Sequence, residues 1–436
     1  MDEKICKLEC VIVWFRRDLR LEDNTALQAA IASGTSVLPL FIFDNNIINE
    51  LSPSDSRLNF IFDLLEKMQV TLAKFNRSIL CKRGEPSKVI ASLLNEYTIK
   101  AIYYNKDYEP YALQRDQQVK NLLETQDIPF HGFKDQVIFE EHDIVKADGS
   151  PYTVFTPFKK RWIAHFESLI PFHFKKPALQ ALAEVEEKFP TRQTLGLEES
   201  KIKVPTYITA HLKDYGRFRD YPTKSTSLLG PHLRFGAVSI RQLIANLGSN
   251  TEIFLSELIW REFFMQILFH FPRVVDNNFR PKYDLIEWRN EEKEFKDWCE
   301  GQTGYPLVDA GMRELNATGF MHNRVRMVAA SFLCKHLLID WRWGEAYFAS
   351  KLLDFELSSN NGNWQWAAGT GCDAAPYFRV FNPTTQQEKF DKDFNYIKKW
   401  VPEFGTDTYA APIVNHVMAR KRAIETYKIG IQKRVG

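Results

Sequence analysis

The stretch VIVWFRRDLRLEDNTALQAAIASGTSVLPLFIF, residues 11–43, decides the fold of the first third of the chain. Val11 to Phe15 and Val37 to Phe43 are short, almost continuous apolar runs, the pattern of strands buried on both faces. Thr25 to Ala32 between them is helical in character, and strand, helix, strand at this spacing is a parallel β-α-β unit. Ser78 to Lys82 and Ala101 to Asn105 read as two more strands. Helical stretches at Ser56–Phe75, Pro86–Tyr97 and Leu113–Glu124 alternate with them. The expectation is a doubly wound α/β domain with a parallel sheet over residues 1–133. No G-x-G-x-x-G follows the first strand and no G-x-x-x-x-G-K-[ST] occurs in the chain, so motif supports neither the usual dinucleotide site nor a P-loop.

Further along, the pattern loosens over residues 134–205, where Asp148-Gly149-Ser150-Pro151, Thr156-Pro157, Pro171 and Pro190 punctuate an expected interdomain connector. From Thr206 to the end, residues 206–436, helical periodicity dominates, and a larger all-helical domain is predicted. No internal repeat or low-complexity tract is visible.

A length of 436 residues suits two or three domains, with 44% apolar and 26% charged residues, as in globular proteins. Lys plus Arg at 57 against Asp plus Glu at 55 gives +2, so contact with nucleic acid requires a local patch rather than bulk charge. One local excess lies between Met418 and Gly436: Arg420, Lys421, Arg422, Lys428, Lys433 and Arg434 against Glu425. It reads equally as a solvated terminal helix or as a phosphate contact. Apolar runs fall well short of the roughly 20 residues that span a bilayer, and the N-terminus shows no signal-peptide pattern, so a soluble cytoplasmic protein is expected. The six cysteines (6, 10, 81, 299, 334, 372) form neither a C-x-x-C pair nor a disulfide framework, which fits a reducing compartment and argues against structural zinc. Aromatic content is high, with 33 Phe, 16 Tyr and 10 Trp, and seven of the Trp fall between Trp260 and Trp366. That density points to a large helical core or to a site that needs indole rings.

Several stretches carry chemistry. Thr226-Ser227-Leu228-Leu229-Gly230-Pro231-His232-Leu233 sets two hydroxyls and a glycine before a helical stretch, an arrangement that binds phosphate or simply caps the helix. In Glu257-Leu258-Ile259-Trp260-Arg261-Glu262-Phe263-Phe264, spacings of three and four put Glu257, Trp260, Arg261 and Phe264 on one face. Core faces avoid Glu and Arg, so this one should line a cavity or an interface. In Met321-His322-Asn323-Arg324-Val325-Arg326-Met327, Asn323 and Met327 are helix neighbours. Asp340-Trp341-Arg342-Trp343-Gly344 leads to Asp354-Phe355-Glu356 and then to Asn360-Asn361-Gly362-Asn363-Trp364-Gln365-Trp366, a run of amides and indoles unusual in a helix interior. The series begins at Gly304-Tyr305-Pro306-Leu307-Val308-Asp309-Ala310 and closes at Phe381-Asn382-Pro383-Thr384-Thr385-Gln386.

With Val13-Trp14-Phe15-Arg16-Arg17-Asp18-Leu19-Arg20 and Asp23-Asn24, these motifs resemble the photolyase and cryptochrome family, and within it the class I photolyases for cyclobutane pyrimidine dimers. The resemblance covers nearly the whole chain and is dense from Gly304 to Gln386. It implies FAD bound without a covalent link, folded into a U in the helical domain, and a DNA lesion flipped out of the duplex into a cavity beside it. In the mechanism so implied, excited reduced flavin gives an electron to the dimer, the cyclobutane ring opens and the electron returns. The cofactor carries that chemistry, and the protein supplies orientation, electrostatics and exclusion of water.

The resemblance also assigns roles. Asn360 stands where the family faces flavin N5; an amide accepts from a protonated N5 while donating elsewhere. Plant-type cryptochromes tend to have Asp at that place and animal ones Cys, so Asn favours repair over signalling. Trp364, Trp341 and Trp288 match the electron-relay tryptophans, proximal to distal, although as isolated residues they would be packing residues. Tyr215, Thr226, Ser227, Leu228, Leu229 and Gly230 match the first FAD-binding stretch, and Asp354, Phe355 and Glu356 the second. Gly230 replaces a Ser that many members carry, which removes one hydroxyl contact. Arg326 and Asp354 fall where the family has an ion pair against the isoalloxazine.

Trp260 and Trp366 match aromatic walls for the flipped dimer, where stacking contributes roughly 1 to 3 kcal/mol per base. Glu257 and Asn323 would bond its polar edge, with Met327 on the same face, and Arg324 would meet a backbone phosphate. Folate-using members carry an Asn-Glu pair where this chain has Tyr111 and Ala112, so a folate antenna is not expected; a deazaflavin, a second flavin or an empty cleft stays open. Six-four photolyases usually carry a His-rich helix in place of Met321–Met327, so the expected lesion is the cyclobutane dimer. DNA containing pyrimidine dimers is the expected partner of a monomer that associates with the nucleoid when bound.

Two alternatives bear on the same residues. A cryptochrome-type photoreceptor commonly has a long C-terminal extension, whereas 50 residues follow Gln386 here. A light-independent electron-transfer flavoprotein would not need a cavity lined by Glu257, Trp260, Asn323 and Trp366.

Overall fold

The structure, a computed structural model, describes residues 7–169 and 172–433. Cys6, Pro171 and Arg434, which entered the sequence reading, lie outside them. Five parallel strands, β1 (Glu9–Phe15), β2 (Val37–Asp44), β3 (Leu80–Gly84), β4 (Thr98–Asn105) and β5 (Phe130–Phe133), form one sheet in the order β3-β2-β1-β4-β5. Val11 faces Val37 across β1 and β2, and Ile12 faces Ile102 across β1 and β4. β1 and β2 are buried because the helices Thr25–Ala32, Ser56–Ala73, Pro86–Glu96 and Pro110–Glu124 leave each face of the sheet with its own apolar core. The predicted doubly wound α/β arrangement is therefore observed. β5 was missed because His131 and Gly132 interrupt its apolar pattern. Strand order reverses beside β1, where ligands of such sheets bind beyond the strands' carboxyl ends. A cleft lies there, lined by Trp14, Arg16, Asp107, Glu109, Tyr111 and Ala112 among others.

The chain does not divide at 133 and 205 as the sequence suggested. One compact unit comprises Met1–Glu140, Leu169–Pro205 and Gly230–Leu247; the other comprises Glu141–Ser168, Thr206–Leu229 and Gly248–Gly436. The reason is packing. Ala183 donates to the Val37 carbonyl at 2.7 Å, and Leu179, Leu182, Leu195, Leu197 and Phe235 join the core around the sheet. Gly236 belongs there too: its φ is +64°, and a Cβ would stand 2.2 Å from the Arg17 carbonyl oxygen. The supposed connector instead supplies the helix Phe155–Glu167 to the second unit.

The described regular elements of the second unit are helices, as predicted for the C-terminal part. Those that matter below are Tyr215–Phe218, Glu252–His270, Asn323–Ser331, Trp341–Lys351, Leu357–Ala368 and His416–Gln432. Their core gathers Trp298, Leu307, Val325, Phe332, Leu333, Trp341 and Trp364. Among the described residues no helix is long and apolar enough to cross a membrane.

Candidate functional site

The site is built around the helix Leu357–Ala368, which two glycines bring close to its neighbours. A Cβ at Gly362 would stand 2.2 Å from the Phe264 ring, and one at Gly344 2.1 Å from the Trp364 ring. The helices Glu252–His270 and Trp341–Lys351 therefore approach it more closely than side chains would allow. The amides on it divide their work. Asn361 and Gln365 both donate to the Val274 carbonyl at 2.9 Å, and Gln365 accepts from the Phe279 N–H at 2.8 Å, which ties down the loop after His270. Asn363 donates to the Ser359 carbonyl at 2.8 Å. Asn360, only 8% exposed, donates to Glu345 through both its backbone carbonyl (3.0 Å) and its Oε1 (2.8 Å). Its own Oδ1 receives no hydrogen bond from the described residues.

Arg326 and Asp354 form the expected pair, bidentate at 3.2 and 3.0 Å, while Arg326 Nε donates to the Met321 carbonyl at 2.7 Å. Arg261 pairs with Glu356 at 3.0 Å, so the charges on that helix face are already matched. Phe355 packs against the core beside them. Two further expected site residues are already paired within the fold. Arg324 pairs with Asp220 at 2.6 Å and lies 4.5 Å over the Phe390 ring, its side chain 17% exposed. Glu257 pairs with Arg219. Burial raises the Glu257 carboxyl above its ordinary value and the Arg219 guanidinium pulls it partly back. Arg219 and Asp220 went unnoticed in the sequence; their spacing from Tyr215 was the available signal.

Asn323 and Met327 do share a face, with the Asn323 amide 4.0 Å from the Met327 sulfur. His322 is the N-cap of their helix: its Nδ1 accepts from the Arg324 N–H at 3.2 Å. Burial lowers its imidazole to about 4, so it stays neutral in neutral solution.

Trp260 stacks on Phe155 at 3.6 Å between centroids and 8° between planes, so one of its faces is already covered. Phe155 comes from the stretch read as a connector, and no motif pointed to it. Trp366 is partly buried against the core. Trp364 and Trp341 are buried, and Trp288 is half-buried. Trp341 donates to Asn278 at 2.9 Å. The indole that touches Trp364 is Trp298, 6.1 Å away, which the sequence reading passed over; Trp288 instead meets Tyr427 at 5.8 Å.

In the hydroxyl stretch, Thr226, Ser227 and Leu228 are half-buried and Leu229 is buried. Leu228 takes φ +54°, a left-handed conformation that costs roughly 1 kcal/mol or more outside glycine. Tyr215 packs edge-on against Phe254 at 5.2 Å, and burial, then Glu257, raise its phenol to about 12, which keeps it a neutral donor. Gly230 opens the short helix Gly230–Arg234 of the first unit.

Residues 11–181 match the family described as DNA photolyase, and residues 254–407 match the FAD binding domain of DNA photolyase. The chain belongs to the DNA photolyase family. A deoxyribodipyrimidine photo-lyase of Vibrio cholerae is 36% identical over 95% of this chain and 96% of its own length. The class III photolyase from Agrobacterium tumefaciens is 35% identical and superposes with a TM-score of 0.87 over 98% of both chains. An archaeal photolyase from Sulfolobus tokodaii, solved with two FAD molecules, is also 35% identical, with a TM-score of 0.84 over 97% of this chain and 100% of its own. Photolyases are DNA-repair flavoproteins, and the donor set of the helical unit suits their FAD. Ser358 Oγ is buried, on the same helix as Asn360, with no hydrogen-bond partner among the described residues. Asn360 Oδ1 is a second uncommitted group, and the Arg326–Asp354 pair supplies a charged but neutralised neighbour.

Proposed function

We propose that this chain repairs cyclobutane pyrimidine dimers in DNA under blue light, with FAD held in its helical unit. Bound FAD in its reduced form, once excited, supplies the electron that opens the cyclobutane ring. The chain's own residues orient and enclose. Asn360 would offer an acceptor to flavin N5, Arg326 and Asp354 would hold the isoalloxazine, and Tyr215, Thr226–Leu229 and Phe355–Glu356 would hold the rest. Trp366 and Trp260 stack the flipped lesion, while Asn323 and Met327 meet its edge. Glu257 then acts from within its pair with Arg219, and Trp364, Trp341 and Trp288 carry electrons inward to recharge the flavin.

The observation that carries the lesion is the state of His322. A six-four adduct needs a proton and a group moved as well as an electron. The Asn323–Met327 face has no group that titrates near neutrality, and His322 is buried, its imidazole lowered by that burial, with Nδ1 taken by the Arg324 N–H and Nε2 enclosed without a partner among the described residues. An electron alone opens a cyclobutane ring.

Two oligonucleotides, one per lesion, incubated with chemically reduced, FAD-loaded protein in blue light and in darkness, test the reading. Light-dependent loss of the cyclobutane dimer alone is expected. Repair of the six-four lesion instead refutes it, and repair of neither would move the chain to the photoreceptor reading.

The cleft beyond β1 and β4 is proposed to take a second chromophore, a flavin or deazaflavin rather than folate. Tyr111 lines it where folate users have Asn, and its hydroxyl is committed to Asp44 at 2.5 Å. The Sulfolobus relative with two FAD molecules supports the same choice. Acting on chromosomal DNA, the protein would work in the cytoplasm at the nucleoid.

A further inference from the structure

The most informative uncommitted group in the helical unit is the Asn360 oxygen, and what leaves it uncommitted is a residue that no motif named. Glu345 lies on the helix Trp341–Lys351, next to Gly344, whose missing side chain lets that helix close on Trp364. From there it presents two acceptors to one amide: its backbone carbonyl at 3.0 Å and its carboxyl Oε1 at 2.8 Å from Asn360 Nδ2. A carboxamide has two N–H donors, directed about 120° apart, and one carbonyl oxygen. Both donors are therefore taken by Glu345. The opposite setting of the amide would turn its oxygen against two other oxygens and lose both bonds, so the ends of Asn360 are not interchangeable here.

We propose that Glu345 is a positioning residue that fixes Asn360 as an acceptor only, so that the pocket favours flavin carrying a proton on N5 over flavin without one. The inference rests on the reading that Asn360 faces N5. A freely turning amide serves either form of N5, donating to the bare nitrogen as readily as it accepts from N–H. With Glu345 holding the nitrogen end, only the second service remains, and reduction is assisted. Glu345 is itself half-buried, its carboxyl raised by burial and partly pulled back by the Asn360 bond. A direct effect of its charge on the flavin would nearly cancel in this couple, because a nearby anion opposes the arriving electron and favours the arriving proton. A fall in potential on removing Glu345 therefore separates positioning from electrostatics.

The test is the midpoint potential and FAD content of the purified FAD-loaded protein in the parent, Glu345→Leu, Glu345→Gln, Asn360→Leu and the Glu345→Leu/Asn360→Leu double variant. Glu345→Leu should make the protonating reduction about tenfold less favourable, a fall of about 59 mV for one electron. Asn360→Leu should fall at least as far, and the double variant no further than Asn360→Leu, since Glu345 acts through that amide. Glu345→Gln keeps the backbone carbonyl and the volume but gives the amide a partner it can meet either way round, so it should shift in the same direction by less. If Glu345→Leu fails to hold FAD, Glu345→Gln decides, and a potential equal to the parent's overturns the proposal. An unchanged or raised potential in Glu345→Leu, or full additivity in the double variant, overturns it as well. If Asn360→Leu also leaves the potential unmoved, what falls is the placing of Asn360 at N5.

Discussion

Gly344→Ala sets helix propensity against packing in the wall of the proposed flavin site, and the distances say which wins. Alanine is favoured over glycine in a helix interior by about 0.8 to 1 kcal/mol. The added Cβ, however, would stand 2.1 and 2.4 Å from Trp364 Cη2 and Cζ3 and 2.6 Å from Leu333 Cδ2. Carbon atoms in contact sit at about 3.5 to 4.0 Å, so the indole or the whole helix Trp341–Lys351 must retreat by more than an ångström. Trp364 is buried among Trp298 and Phe348, with no open side to move into. Overpacking of this kind costs about 1 to 3 kcal/mol or more, and the net effect should be a loss of about 1 to 2 kcal/mol. For a unit of this size each kcal/mol lowers Tm by about 2 to 4 °C, so a fall of about 2 to 8 °C is expected. The same retreat carries Glu345 away from Asn360, and bound FAD should decline with it. Near-ultraviolet circular dichroism during a melt and the flavin-to-protein absorbance ratio measure the two effects. A Tm at or above the parent's, with full FAD content, would show that the helices have slack and that Gly344 does not set their spacing.

Trp341→Phe should stop light-driven reduction of oxidised flavin yet leave repair intact after chemical reduction, since phenylalanine is not readily oxidised and loses the 2.9 Å bond to Asn278; photoreduction at the parent's rate refutes the relay. Asp354→Asn leaves Arg326 unmatched, and because both side chains are partly exposed the loss should be about 1 to 3 kcal/mol, less than for a fully buried pair, read as earlier release of FAD on heating. His322→Asn keeps an N-cap but removes a titration. The folded imidazole is lowered from 6.5 to about 4, so the unfolded state binds the extra proton between those values and the parent loses stability as pH falls through that window. Unfolding free energies from denaturant titrations between pH 7 and 4 should fall less steeply in the variant by up to about 1.4 kcal/mol per pH unit, and parallel curves would contradict the assignment.

Much of the α/β unit was legible because buried parallel strands announce themselves by composition. β1 and β2 are buried along nearly their whole lengths, and their apolar runs needed no knowledge of what covers them. β5 lacked that signal, and its pairing with β4 comes from position in the sheet rather than from residue type. The division of the chain was not legible for a related reason. Leu182 and Phe235 are ordinary apolar residues in loosely patterned segments, and only the sheet they cover identifies their unit. At the site, Arg326 with Asp354 and Asn323 with Met327 were recovered as pairs. Arg324 and Glu257 are also paired within the fold, with Asp220 and Arg219, and a local sequence window does not show which partner a charged side chain will meet.

The four amides between Asn360 and Gln365 show where that limit lies. By residue type they are nearly equivalent, and the motif alone marks them as a group. Helical geometry already splits them: Asn361 and Gln365 are four apart and share one face, while Asn360 and Trp364, also four apart, share another. The first pair meets a loop carbonyl, Val274, and becomes structural. The second faces the helix that Gly344 admits, and there Asn360 meets Glu345. An amide whose nitrogen and oxygen are both satisfied by protein can only hold the fold together. One that is buried, with its nitrogen fixed and its oxygen left without a protein partner, has a direction and an unmet acceptor; Asn363 shares the asymmetry but is exposed, and it is burial together with a partner fifteen positions away that sets Asn360 apart as the amide proposed to meet a ligand.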